Sequence, residues 1–202
     1  GLVLAAMTIL AGFTGLLGQV EGWERLAGPL HSWPPLRFAS ASALLAVGIA
    51  LYGFIWSHHP VTRWAAGAGA ALGLSGLFSH VGIGPLAPGA MAMTTAVMMT
   101  TAAAAILLAS LAQQSPVQDA CIGVAGFVLA SLSGTFILAR IGGLIDPIRD
   151  LEVAGASLQS LLTCFLLGAW FLQVIWSRGL VAAAPWLGAA VGLASLLTVF
   201  TL

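Results

Sequence analysis

Long apolar runs alternate along the chain with short polar or Pro/Gly-rich breaks, and this pattern predicts the elements. A helix needs about 20 mainly apolar residues to cross a hydrocarbon core, where its backbone must satisfy its own hydrogen bonds. Helices are therefore expected near 1–19, 39–57, 64–83, 91–112, 120–140, 154–176 and 180–201. The runs lack the period-2 alternation of a membrane β-strand, and several are too long and too uniformly apolar for one. The predicted fold class is all-α, a polytopic transmembrane helical bundle of about seven spans forming a single domain over 1–202.

The breaks are of two kinds. Those after odd-numbered spans are long or rich in Pro and Gly, as over 20–38, whereas those after even-numbered spans are short and polar, as over 57–63. In the latter, His58-His59-Pro60 reads as a polar helix end with proline terminating the turn. Glu21-Gly22-Trp23-Glu24-Arg25-Leu26 is expected to lie along a membrane interface as an amphipathic turn or helix. Trp56, Trp64 and Trp176 flank span ends, where amphipathic rings sit at headgroup level.

Internal similarity points the same way. Thr14-Gly15-Leu16-Leu17, Ser75-Gly76-Leu77-Phe78 and Ser133-Gly134-Thr135-Phe136 recur at separations of 61 and 58 residues, and Gly28-Pro29-Leu30 and Gly84-Pro85-Leu86 lie 56 apart. The unit reads helix, irregular connector, helix, with copies at 1–57, 64–112 and, more loosely, 120–176, followed by the span at 180–201. Gly15, Gly69, Gly73, Gly76, Gly134, Gly188 and Gly192 are the expected close-packing positions, because small residues let helix backbones approach.

Composition narrows the function classes. Hydrophobic residues make up 60% of the chain and charged ones 6%, with a mean hydropathy of +1.06, too few charges to cover a soluble domain of this size. Lysine and asparagine are absent, and six arginines balance six acids. No basic patch exists to neutralise nucleic-acid phosphates. A retinal Schiff base is excluded for want of a lysine. Cys121 and Cys164 lie inside apolar runs and read as packing residues.

Catalytic and cofactor chemistry find little support. Gly73-Leu74-Ser75-Gly76 matches the nucleophile motif of rhomboid-type intramembrane proteases, but such an enzyme needs a histidine on a later helix to take the serine proton, and none follows His80. His58 and His59 should sit at the opposite membrane face from His80, roughly 25–30 Å away at 1.5 Å per residue, so they cannot share a metal. His31 and His80 could share a face, but without supporting ligand spacing no haem or other cofactor is assigned. Ionisable groups, the usual mark of a pump, are missing from mid-span positions, which makes a small transporter the third-ranked reading. Five of the twelve charged residues gather between Arg140 and Glu152. A ligand- or partner-contacting face would combine Arg140, Asp146 and Arg149 with Trp23, Arg25, Trp33 and Arg37, because the connectors of three repeat units would converge there.

Trp33-Pro34-Pro35-Leu36-Arg37-Phe38-Ala39-Ser40-Ala41, leading into Ala46-Val47-Gly48-Ile49-Ala50-Leu51, resembles the second-helix opening of the multi-spanning membrane domains at the N-termini of bacterial sensor histidine kinases and diguanylate cyclases. That opening typically reads Trp-Pro-x-Met-x-Pro-Asn-Thr-Ala, and Met91-Ala92-Met93-Thr94-Thr95-Ala96 resembles it again, although the Pro-Asn pair is missing from both copies. The resemblance implies a non-enzymatic input or anchoring domain of the bacterial inner membrane whose output module follows downstream in a longer polypeptide. Its expected partners are the lipid bilayer and a second copy or other membrane subunits. The alternative is a structural subunit of a larger membrane complex.

Overall fold

A computed structural model describes residues 1–20, 36–81, 91–111, 115–142 and 156–178. Within them every regular element is an α-helix: α1 (Leu2–Leu17), α2 (Phe38–Ile55), α3 (His59–His80), α4 (Met93–Ala109), α5 (Pro116–Ile141) and α6 (Leu158–Ser177). These correspond to the first six expected spans; the seventh, 180–201, lies outside the described residues. Three of the helices, α2, α5 and α6, are long and apolar enough to cross a membrane, while α1 and α4 are apolar but only 16 and 17 residues long.

Neighbouring helices run antiparallel. Gly12 and Gly15 of α1 lie against Ala41 and Leu45 of α2; Gly53 of α2 lies against Thr62 of α3; Gly73 and Gly76 of α3 lie against Thr100 and Ala96 of α4; Gly126 of α5 lies against Phe171 of α6. The N-terminal ends of α1, α3 and α5 therefore share one end of the bundle with the C-terminal ends of α2, α4 and α6. We call this the turn end and the opposite one the connector end. Exposed Trp56, Trp64 and Trp176 all sit at the turn end.

The turn between α2 and α3 corrects the sequence reading of 57–63. The proline starts a helix there instead of ending one, so α3 begins at His59, five residues earlier than expected. Pro60 occupies the first turn of α3, where its missing N–H would have no helical partner and its fixed φ already suits a helix. The link from α2 is only Trp56, Ser57 and His58. The His58 amide donates to the Gly53 carbonyl at 2.8 Å and the Ser57 amide to the Phe54 carbonyl at 3.2 Å, a Schellman closure of α2. Ser57 takes the left-handed position of that motif, at φ 56°. A serine Cβ is crowded there and a glycine is not. Ser57→Gly is expected to raise stability by about 1 kcal/mol, read as an upward shift in the melting temperature of the detergent-solubilised protein.

Burial divides the helices into an inner and an outer set. Nine of 18 residues are buried in α2, nine of 17 in α4 and eight of 20 in α6, against four of 16 in α1, five of 22 in α3 and seven of 26 in α5. The inner helices also share a register. Counted from their N-caps Arg37, Ala92 and Ser157, the positions three, four, six, seven, ten, eleven and fourteen residues on are buried in all three. The first of these positions, three residues past the N-cap, carries a hydroxyl each time, Ser40, Thr95 and Ser160. Immediately before each N-cap stands a buried apolar residue, Leu36, Met91 or Ala156. Consecutive helices thus form three hairpins, α1–α2, α3–α4 and α5–α6, with α2 and α4 in contact, α4 and α6 in contact, and α6 reaching back to α1.

Candidate functional site

Glycines set how closely each hairpin closes. A Cβ placed on Gly12 would lie 2.6 Å from the Leu45 amide nitrogen and 2.8 Å from the Ala41 carbonyl oxygen. On Gly73 it would lie 2.9 Å from the Thr100 amide nitrogen and 3.1 Å from the Ala96 carbonyl oxygen. These are corresponding contacts: Gly12 precedes Gly73 by 61 residues, and Ala41 and Leu45 precede Ala96 and Thr100 by 55. The third hairpin closes on Gly168, where a Cβ would stand 2.5 Å from both the Ala130 nitrogen and the Gly126 oxygen. Gly134, by contrast, faces only the edge of the Phe165 ring, at 3.3 Å. Gly69 meets the Val47 and Ala103 side chains, joining the first hairpin to the second.

The first two hairpins are also pinned alike at the connector end. Gln19, just past α1, donates from Nε2 to the Leu36 carbonyl at 2.9 Å, and His80, the last residue of α3, hydrogen-bonds through Nε2 to the Met91 carbonyl at 2.8 Å. In each case a polar side chain ending the outer helix holds the residue before the N-cap of the inner one. Removing such a bond costs about 1 kcal/mol. His80→Ala is expected to lose about that much, and His80→Gln to retain most of it, because glutamine already performs this task at position 19. Thermal denaturation of the two variants checks the pair.

The third hairpin meets the second differently. At the turn end, Gln118 Nε2 of α5 donates to the Leu108 carbonyl near the end of α4, and Arg178 Nη1 pairs with Asp119 Oδ1 at 2.6 Å, tying the end of α6 to the start of α5. Beside these ties, on the perimeter of the bundle, an open groove of about 580 Å³ runs along α5 where it flanks α4. It is lined by Thr101, Pro116, Val117, Cys121, Val124 and Val128, with Ala120 and Ala125 between them. Thr101, the one hydroxyl in the lining, donates to its own Val97 carbonyl at 2.8 Å, which leaves an apolar surface.

Of the ligand face expected from sequence, Arg37 and Arg140 are both brought to the connector end, the first as the N-cap of α2 and the second in the last turn of α5. Trp23, Arg25, Trp33, Asp146 and Arg149 lie outside the described residues, as do His31, Gly188 and Gly192. Ser75 is exposed and donates to its own Leu72 carbonyl at 2.8 Å, away from the Met91 carbonyl that holds His80. His59 and His80 stand at opposite ends of α3, about 31 Å apart along its axis. Among the described residues no group of three or more His, Cys, Asp or Glu side chains is placed to hold a metal ion. Cys164 is buried in α6 and Cys121 is exposed in the groove.

Sequence reasoning passed over Gly12, Gly126 and Gly168, although the Gly-x-x-Gly spacing shared by Gly12–Gly15 and Gly73–Gly76 signals the first of them. It also passed over the groove, which no local pattern marks. No protein-family model, curated protein or solved structure matches this chain.

Proposed function

We propose that the chain is a membrane-embedded sensory domain of the bacterial inner membrane, built from three copies of a helix hairpin, which relays a signal to a downstream module by moving its third hairpin against the other two. The observation that carries this reading is the contrast in packing. Glycines bring the two backbones of a hairpin into contact, whereas α5 meets α4 more sparsely, with an apolar groove open beside the contact. A signalling element needs rigid bodies with more than one arrangement between them, and packed interfaces switch between discrete states more readily than they deform. The third hairpin, fastened internally by Gly126, Gly168 and the Arg178–Asp119 pair, supplies such a body.

The apolar perimeter, with Val3, Leu10, Leu138 and Ile141 each at least 65% exposed, fits a bilayer as its surroundings, and the exposed tryptophans at the turn end fit an interfacial belt. The test uses the natural full-length polypeptide in its membrane. Thr101→Cys adds a second thiol on the α4 side of the groove that Cys121 lines, and a bifunctional thiol reagent then ties α4 to α5. The expected result is an output frozen at one level whatever the stimulus. Output that still follows the stimulus after complete cross-linking rejects the moving hairpin, and a natural polypeptide carrying no output module moves the assignment to a structural subunit of a membrane complex.

A further inference from the structure

We infer that the groove between α4 and α5 is a binding site for one acyl chain of a membrane phospholipid, inserted from the leaflet at the turn end. The inference rests on the reading that the bundle spans a membrane. Three observations support it, beginning with chemistry. The lining offers no charge and no unsatisfied hydroxyl, so a polar ligand would lose its hydration there without compensation.

The second observation is length. From Pro116 to Val128 the lining runs twelve helical steps, about 18 Å at 1.5 Å per residue. That is close to one leaflet of a hydrocarbon core about 30 Å thick. A partner helix packed lengthwise on α5 would need the groove to continue towards Ile141, whereas the lining stops at Val128, thirteen residues short of that end.

The third is position. The groove begins in the first turn of α5, level with the Arg178–Asp119 ion pair and at the same end as Trp64 and Trp176. A lipid whose tail follows Val117, Cys121, Val124 and Val128 would keep its headgroup among these interfacial side chains. A chain held there would set the spacing between α4 and the third hairpin, so that lipid occupancy would be part of what the domain reads.

The test starts from the full chain extracted from membranes of known phospholipid composition, exchanged into lipid-free detergent and weighed by native mass spectrometry. The wild type is expected to retain phospholipid in roughly equimolar amount, one site holding one chain. Ala120→Phe combined with Val124→Phe, which fills the groove from its open side, should remove most of the bound lipid while leaving the melting temperature close to that of the wild type. Wild-type protein that needs detergent for extraction but carries no phospholipid overturns the acyl-chain site alone. So does efficient Cys121–Cys121 cross-linking in the membrane, which would make the occupant a second copy of the chain. A chain that stays in solution without detergent overturns the membrane reading itself.

Discussion

Gly168→Leu is expected to cost ~3 kcal/mol or more, because overpacking a close contact forces backbone or rotamer shifts. For a chain of this size that lowers the melting temperature by about 10 °C, read by tryptophan fluorescence in detergent. The prediction is sharp because the first added carbon already has nowhere to go. Its neighbours at 2.5 Å are the Ala130 nitrogen and the Gly126 oxygen, backbone atoms of a helix that cannot swing aside as the end of a side chain can. Relief requires α5 and α6 to separate, which breaks the body on which the proposed signalling motion depends. Gly67→Ala is the control of opposite sign: a Cβ at that position of α3 meets nothing within 4 Å. Alanine there should recover the helix penalty of glycine, about 0.5–1 kcal/mol. Equal losses at Gly67 and Gly168 would show that the contacts around Gly168 do not govern its cost.

The second large effect tests the correspondence between hairpins. Gly12→Leu and Gly73→Leu are expected to cost ~3 kcal/mol each and to agree within about 1 kcal/mol, since both side chains would enter the partner helix at matching backbone atoms. Because they sit in different hairpins, their losses should add in the double variant. Gly134→Ala should cost less than about 1 kcal/mol, because the Phe165 ring edge facing it can turn away. A large loss at Gly134 or a strong mismatch between Gly12 and Gly73 would count against equivalent hairpins. Denaturation midpoints of the four variants decide the matter.

How the sequence relates to the structure depends on which physical signal is asked for. The positions of α1 to α6 were legible because a run of about 20 apolar residues is a local property, set by composition and by the need to satisfy the backbone. The start of α3 was less legible: Pro60 is compatible with ending one helix or beginning the next, and the choice rests on the left-handed Ser57 and the amide of His58 reaching Gly53. Trp23, Arg25, Trp33, Asp146 and Arg149 remain a sequence expectation, and the structure adds only the placement of Arg37 and Arg140 at one end.

By itself, then, the sequence determined that this is a helical chain with several membrane-length apolar segments, that its breaks alternate in character, and that similar small-residue steps stand 56 to 61 residues apart. Only the tertiary structure decided which helices are inner, that Gly12, Gly126 and Gly168 are also points of close approach, that Gln19 and His80 do the same work, and that a groove opens between α4 and α5. The reason is physical. In a helix that is apolar all round, hydrophobicity carries no direction, so the sequence fixes where a helix lies along the chain without saying which face it turns to its neighbours. That choice belongs to the fit of surfaces between helices, which exists only once they are assembled.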